Sequence, residues 1–164
     1  MSDTLFSHLD AAGTARMVDV SGKAVTRRLA LASCRVLLEE STVERLGDLP
    51  KGDAFAVARL AGIQAAKRTD SLIPLCHGLP LEQVEVEIRP APGGVEVRSK
   101  VVVTAKTGAE MEALVACSTA ALALYDMVKA VERGAVITDL QLESKSGGRS
   151  GEWTRSSEDG PDGS

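Results

Sequence analysis

A short polar stretch between two regular elements is the first place where this sequence could do chemistry. Residues 66–79 read AKRTDSLIPLCHGL and contain His77, one of two histidines in the chain, beside Cys76. Pro74 forces a change of direction just before them. Loops held between rigid elements often carry binding and catalytic groups. His77 is therefore a candidate metal ligand, acid/base group or structural hydrogen-bond donor, although a single histidine does not make a metal site.

A carboxylate and an amine share one face of a predicted long helix. Asp126 and Lys129 are three residues apart, a spacing that brings side chains together on a helix. They form either a solvated ion pair or a proton-transfer pair in which the carboxylate holds the ammonium in place. Glu112 points to nearly the same side, but about 21 Å of helix rise separates it from Asp126. Glu112 and Asp126 therefore serve opposite ends of a large ligand, or each joins residues from another element or subunit.

Cations that could hold phosphate recur along the chain. Lys51 precedes a predicted helix N-terminus, where amides and a cation together favour an anion, although turn lysines are most often simply solvated. Lys67 and Arg68 allow the same two interpretations. Residues 145–151, KSGGRSG, resemble a flexible anion-binding loop with a cation on each side of a glycine pair. Such segments are more often linkers, and the spacing of a Walker loop is absent.

Alternating apolar residues predict the strands that must position these groups. The predicted strands span residues 27–38, 84–88, 95–105 and 135–142. The second and third are joined through a turn at 90–94, which is typical of a hairpin.

Helix signals fall between these strands. A capping box at 41–44 predicts a brief helix, Asp53 caps a helix that runs to about residue 68, and a capping box at 107–110 opens the longest helix, 109–133. Apolar spacing predicts a stripe on each of the two longer helices, and the many alanines elsewhere on the longest helix would let it pack on a second surface. Those stripes are Val57, Leu60, Ala61 and Gln64 on the first, and Met111, Leu114, Ser118, Leu122, Tyr125 and Val128 on the second.

The order strand, helix, strand, strand, helix, strand predicts an α+β ferredoxin-like fold. In this βαββαβ arrangement an antiparallel sheet carries both helices on one face. The other face stays open, and pairing between subunits would cover it. We expect residues 1–16 to form a loose leader, 17–152 a single domain, and 153–164 a disordered tail.

Composition narrows the functional classes. A net charge of -4 and a pI near 5.3 argue against a general nucleic-acid binder, as does the scarcity of aromatic residues. The three cysteines form no C-x-x-C pair, which favours free thiols in the reducing cytosol. We see no signal peptide and no apolar stretch near the roughly 18 residues of a membrane helix. These features predict a soluble cytoplasmic protein.

Several of these stretches together resemble the cyclic pyranopterin monophosphate synthase family of molybdenum-cofactor biosynthesis, known as MoaC. The matching blocks occur in family order and cover nearly all of residues 12–152. They are 17–21 (MVDVS), 51–53 (KGD), 61–69 (AGIQAAKRT), 72–77 (LIPLCH), 107–108 (TG) with 110–114 (EMEAL), 125–127 (YDM) with 129–131 (KAV), and 145–148 (KSGG) with 150–151 (SG). Any one block is weak evidence for the family, but the full set in this order is highly specific to it.

The resemblance implies a metal-free lyase without a cofactor. Its substrate would be (8S)-3',8-cyclo-7,8-dihydroguanosine 5'-triphosphate, which it would convert to cyclic pyranopterin monophosphate with release of diphosphate. It also implies a homohexamer, a trimer of dimers, with active sites between subunits. The rival hypothesis is a non-catalytic oligomer that binds a nucleotide or a pterin.

The resemblance also assigns residues. Asp126 matches the family's active-site aspartate, and Lys51 and Lys129 are similar to its acid/base lysines. The implied substrate contacts are Leu75, Cys76, His77, Met111 and Glu112, with Lys67, Arg68, Lys145 and Arg149 neutralising the triphosphate. Two positions depart from the family pattern: Gly78 stands where proline is usual, and Arg149 stands where lysine is commoner.

Overall fold

One antiparallel sheet organises the computed structural model, which describes residues 13–156. Within that range the sheet has five strands in the order β2-β3-β1-β4-β5. They are β1 (Thr26–Leu37), β2 (Leu81–Ala91), β3 (Gly94–Ala105), β4 (Val136–Ser146) and β5 (Trp153–Thr154). The first four strands have the order expected for the βαββαβ arrangement, so the predicted ferredoxin-like α+β fold is confirmed.

Four helices occur in the described part of the chain. They are α1 (Glu40–Val43), α2 (Ala54–Ala66), α3 (Thr69–Leu72) and α4 (Glu110–Val128). The predicted cap of α2 is present, because the Asp53 carboxylate accepts hydrogen bonds from the backbone N–H groups of Phe55 and Ala56. The two predicted capping boxes are wrong, since neither α1 nor α4 has a side-chain cap. α4 also ends five residues earlier than predicted, and α3 was not predicted.

Alanines, more than the predicted stripes, bury the two long helices. The buried residues of α2 are Ala54, Ala58, Gly62, Ala65 and Ala66, and α4 buries Ala113, Ala116, Cys117, Ala120, Ala121 and Leu124 among others. Leu60 is 61% exposed and Leu122 is 59% exposed, so these members of the predicted stripes face outward. Val128 is fully buried and Leu114 packs against the core, so the α4 stripe is confirmed at these two positions. Small side chains let the helix backbones approach closely, and a Cβ atom on Gly62 would lie 2.7 Å from the carbonyl oxygen of Ala116.

The sheet presents two different faces. Alternate residues of β1 and β3 pack beneath the helices and are fully buried, among them Ala30, Val36, Val97 and Val101. The opposite face carries charged pairs, such as Lys100 with Glu85 at 3.4 Å. The open face of this sheet is therefore polar. A polar face has less need than an apolar one to be buried against another subunit.

The C-terminal strands differ from prediction. β4 continues to Ser146, so Lys145 belongs to a strand rather than to a flexible loop. β5 pairs with it antiparallel, and the guanidinium of Arg155 lies 5.8 Å from the ring centre of Trp153. Residues 153–156 are thus structured where disorder was expected. The rest of that predicted tail, 157–164, and residues 1–12 of the predicted leader lie outside the described residues.

One helix meets the length and composition of a membrane span, contrary to the expectation that no stretch would. α4 has 19 residues and a mean hydropathy of 1.4 over its best window, of which 56% is buried inside the fold. Its inner face packs on β1 and β3, with Ala116 and Ala120 fully buried. The apolar composition of α4 is therefore that of a core helix in a folded domain.

Replacing Gly62 with alanine tests the close approach of α2 and α4. The added methyl group would meet the Ala116 oxygen, Val86 and Ala120 within 3.2 Å, so we expect Gly62→Ala to lower the free energy of unfolding by about 1–3 kcal/mol despite alanine's better helix propensity. Gly47→Ala is the matched control, since nothing lies within 4 Å of the new methyl there. Urea unfolding should leave that control near wild type, and equal stability of both variants would contradict the packing argument.

Candidate active site

A polar cleft forms where the loop after α3 meets the first turn of α4. It has a volume of about 410 Å³ and is lined by Leu75, Cys76, His77, Met111, Glu112 and Arg149 together with Val18, Val20, Lys23, Leu79, Thr107, Gly108 and Glu110. The extended segment 17–20, which ends in a turn closed by the hydrogen bond from Lys23 N–H to Val20 O, forms one wall. Six predicted substrate-contacting residues from three parts of the sequence are thereby brought together.

A second cavity of about 630 Å³ adjoins this cleft. The two share Lys23, Thr107, Gly108, Glu110 and Arg149. The second cavity is also lined by Arg28, Lys106 and Lys145, so its walls carry five cations and one carboxylate. Lys145 lies 3.3 Å from Glu110 and 3.2 Å from the hydroxyl of Ser150. An excess of cations in a concave site favours a polyanionic ligand.

The turn between β4 and β5 shapes this cationic wall. Gly147 and Gly148 both have positive φ, and a Cβ atom on Gly147 would lie 2.3 Å from the carbonyl oxygen of Arg27. A Cβ atom on Gly148 would collide with the guanidinium of Arg28. Glycine is therefore required here both for backbone conformation and for close approach. The two glycines place Arg149 beside the cavity on a tight turn. The sequence pattern had predicted a flexible loop for this segment.

Glu112 is the buried carboxyl group of the cleft. It is only 4% exposed, and burial raises its pKa to about 7, with further contributions from the neighbouring charges of Glu110 and Asp70. Burial, followed by Glu112 and Asp70, also raises the pKa of the Cys76 thiol. The cleft thus contains a carboxyl group that can be protonated or ionised near neutral pH.

A separate cluster joins three residues at the other end of α4. The Lys51 ammonium lies 3.1 Å from a carboxylate oxygen of Asp126, and the Lys129 ammonium lies 2.5 Å from the other oxygen. Lys51 also donates to the backbone oxygen of Asp126 at 2.8 Å. Hydrogen bonds from Lys129 and then Lys51 lower the pKa of Asp126. All three side chains are 41–57% exposed, so the pairs add little stability and leave the amines open to a ligand.

Local sequence explains how Lys51 reaches this cluster. Leu49 and Gly52 close a tight turn through reciprocal backbone hydrogen bonds, and Lys51 lies within this turn, two residues before the α2 cap Asp53. Lys129 is the C-terminal cap residue of α4, one turn after Asp126. The three predicted acid/base residues are therefore assembled within one chain.

Two predicted cations join neither group. Lys67 and Arg68 are exposed at the junction between α2 and α3. They line neither cavity described above.

Sequence reasoning missed several residues of the cationic cavity. Glu110 was placed in a capping box and in a matching block but was not named as a site residue, yet it pairs with Lys145. Arg28 and Lys106 come from β1 and from the loop after β3, and the Arg28 guanidinium donates to the backbone oxygens of Ala105 and Lys106. Strand pairing between β1 and β3 creates this proximity, and no local spacing signals it. Of these missed residues, Lys23 was the easiest to find from sequence, because it lies two residues after the matching block 17–21.

No group of three or more His, Cys, Asp and Glu side chains suited to a metal ion occurs between residues 13 and 156. The donor atoms near His77 belong to Cys76, Glu112 and Glu110, and they share the cleft with Arg149 and Lys23.

The ferredoxin-like fold, the polar cleft with its adjoining cation-rich cavity, and the lysine–aspartate cluster together define an α+β protein with groups suited to acid/base chemistry on a polyanion. A family model described as "MoaC family" matches residues 17–148. The cyclic pyranopterin monophosphate synthase of Streptomyces coelicolor is 58% identical over 152 residues, which cover 92% of this chain and 89% of that protein. The synthases so named from Nocardioides sp. and Chloroflexus aggregans are each 54% identical, covering 94% and 91% of this chain and 99% and 93% of their own. The chain belongs to the MoaC family and is an enzyme of molybdenum-cofactor biosynthesis.

Glu112 should make stability depend on pH near neutrality. Because its pKa is about 7 in the folded protein and 4.5 is the ordinary value, the unfolded chain ionises first as pH rises. The wild-type free energy of unfolding should therefore fall between about pH 4.5 and 7, by up to about 3 kcal/mol. Glu112→Gln should lack this fall in urea titrations across that range.

The exposed carboxyl of Glu82 provides the control. Glu82→Gln should retain the wild-type pH dependence. If Glu112→Gln also retains it, another group is responsible and the cleft carboxyl is not buried as described.

Proposed function

We propose that this chain is a cyclic pyranopterin monophosphate synthase. It would convert (8S)-3',8-cyclo-7,8-dihydroguanosine 5'-triphosphate into cyclic pyranopterin monophosphate and diphosphate by acid/base catalysis that needs no metal. The single observation that carries this proposal is the shared name of relatives that are 54–58% identical over more than nine-tenths of the chain. The chemistry of the two residue clusters supports it.

The cationic cavity suits the triphosphate. In the reaction, the α-phosphate forms a bond to a ribose-derived hydroxyl while its bond to the β-phosphate breaks and diphosphate leaves. Charge builds on the departing diphosphate, and fixed cations stabilise such a group. We assign this role to Lys145 and Arg149, with Lys23 and Lys106 as further contributors from the same walls. Lys67 and Arg68 remain proposed phosphate contacts, although they do not line the cavity in their own chain.

The adjoining cleft suits the guanine-derived ring. Leu75 and Met111 supply apolar surface beside the polar groups of His77 and Glu112. A buried carboxylate accepts hydrogen bonds from adjacent ring and amino N–H groups, and its protonated form donates instead. We propose that Glu112, with its pKa near 7, orients the ring and adapts as the ring's protonation changes.

The Lys51–Asp126–Lys129 cluster suits proton transfer during the rearrangement. Asp126 remains ionised because both amines stabilise its charge, so it holds two ammonium groups on one carboxylate. An ammonium held in this way can give its proton to one substrate atom, and the neutral amine that results can remove a proton elsewhere. We propose Lys51 and Lys129 as these groups and Asp126 as the residue that positions them.

We propose that each active site combines the cleft of one subunit with the lysine–aspartate cluster of a neighbour. Glu112 and Asp126 lie near opposite ends of α4, and about 21 Å of helix rise separates them within one chain. Val57, Leu60 and Leu122, the exposed apolar residues of α2 and α4, offer surface for self-association. A homohexamer built as a trimer of dimers would bring the cleft of one subunit to the cluster of another and would cover the exposed apolar residues. We also propose that the protein acts in the cytoplasm, since free cysteines are typical of that reducing compartment.

Direct turnover tests the proposed reaction. Purified protein with a metal chelator and the cyclic dihydro-GTP substrate should release diphosphate and form cyclic pyranopterin monophosphate. In the same assay Lys51→Ala should lose at least about 100-fold in kcat with little change in substrate binding, because an acid/base group is removed.

Lys100→Ala is the matched control, since this lysine pairs with Glu85 on the opposite sheet face. It should turn over at the wild-type rate. Substrate binding without product in the wild type would favour the non-catalytic binding oligomer, and unchanged turnover in Lys51→Ala would remove that lysine from the mechanism.

Mixing two inactive variants tests the shared site. Glu112→Gln and Asp126→Asn should each lose turnover alone. If a site takes one group from each subunit, a co-expressed mixture should recover about one quarter of wild-type activity. About half of the randomly formed dimers contain one subunit of each variant, and one of the two sites in such a dimer is intact. No recovery, together with light scattering of a monomer, would place both groups in one subunit and overturn the assembly.

A further inference from the structure

Two buried thiols touch where α4 crosses the sheet. The sulfur of Cys117 lies 3.3 Å from that of Cys34, and the two residues are 0% and 1% exposed. Cys34 is paired with Val97 across β1 and β3, and the Cys117 thiol also lies 3.4 Å from the Val97 carbonyl oxygen. Cys117 therefore sits directly above this strand pair, on the face of the sheet away from the charged residues.

Neither thiol belongs to the proposed catalytic machinery. The cleft contains the third cysteine, Cys76, which lies on the loop after α3. Alanine or valine would fill the space of Cys34 and Cys117 as well as a thiol does if packing were the whole requirement. The contact between their sulfurs is a chemical feature that packing alone does not require.

The two thiols are electronically unequal. A hydrogen bond from the Cys117 thiol lowers the pKa of Cys34, against the opposing effect of burial. The same hydrogen bond, together with burial, raises the pKa of Cys117. We take Cys34 as the thiol that reacts first, with the sulfur of Cys117 within reach at 3.3 Å.

We propose that Cys34 and Cys117 form a dithiol that hydrogen peroxide oxidises to an internal disulfide, which joins β1 to α4. In the first step the Cys34 thiolate attacks peroxide, the O–O bond breaks, and Cys34 becomes a sulfenic acid as hydroxide leaves and takes up the proton that the thiol had released, forming water. In the second step Cys117 attacks the Cys34 sulfur, the S–S bond forms, the S–O bond breaks, and a second water leaves with the thiol proton. The two sulfurs are oxidised and one peroxide is reduced.

The bond would tie the central strand to the helix that carries both residue clusters. Closing it requires the sulfurs to move from 3.3 Å to about 2.05 Å, which side-chain rotation and small shifts of α4 can provide. The cross-link spans 83 residues of sequence and so restricts the unfolded chain strongly. Because both thiols are buried, oxidation should proceed only as fast as the core opens.

Peptide mapping of the oxidised wild-type protein tests this inference. Trypsin separates the three cysteines into peptides 29–35, 107–129 and 69–98. After peroxide treatment of the folded protein and alkylation in denaturant, we expect a linked pair of peptides 29–35 and 107–129, with a mass lower by two hydrogens than the sum of the reduced peptides. The oxidised protein should melt at least about 5 °C higher than the reduced protein, and a thiol reductant should reverse this.

Cys34→Ala is the control variant, since it keeps Cys76 and Cys117 but removes the pair. Peroxide should give it neither a linked peptide nor a rise in melting temperature. Full alkylation of Cys34 and Cys117 in the oxidised wild type would overturn the proposal, as would a linkage confined to Cys76. These readouts do not use turnover, so they stand apart from the test of the proposed function.

Discussion

The contact of α4 with the sheet and with α2 is the constraint on which the rest of the structure depends. It is made by small side chains, with Ala116 and Ala120 fully buried and Gly62 of α2 against the α4 backbone. Close packing of this kind leaves no room for an added methyl group, because protein interiors are already packed at crystal-like density. The position of α4 is therefore tightly determined, and α4 carries chemistry at both ends.

At its N-terminal end, α4 places carboxyl groups among cations. Glu110 and Glu112 face a cleft whose walls also carry Lys23 and Arg149, and Lys145 lines the adjoining cavity. Glu110 is neutralised by Lys145 at 3.3 Å, whereas burial sets the properties of Glu112. The two carboxyl groups are two residues apart, yet solvent exposure and charge partners give them different chemistry.

At its C-terminal end, α4 holds an exposed acid between two amines. Ion pairs with this exposure add little to stability, so folding does not explain the Lys51–Asp126–Lys129 cluster, for which we propose acid/base catalysis. One subunit keeps this cluster apart from the cleft because a rigid helix lies between them. We propose self-association through the outward apolar residues as the route by which the two can meet.

The sequence alone was sufficient for the order of elements and for the family. Alternation in β1 and β3, the Asp53 cap and the ordered motif blocks all depend on local spacing, which folding does not alter. The three-residue spacing of Asp126 and Lys129 likewise predicted their contact. Helix faces were predicted only in part. Leu60 and Leu122 were placed with the core but are exposed, whereas Val128 is buried and the alanines of α4 pack as expected.

What only the tertiary structure decided is which distant residues meet. Strand pairing brings Arg28 to Lys106, a turn closed by Leu49 and Gly52 delivers Lys51 to Asp126, and helix packing sets Cys117 on Cys34. These contacts join residues 75–83 positions apart, so no periodicity records them. The sequence by itself determined the chemical groups and the elements that carry them, because both are local properties. The proximity of those groups is set by close packing of the whole chain.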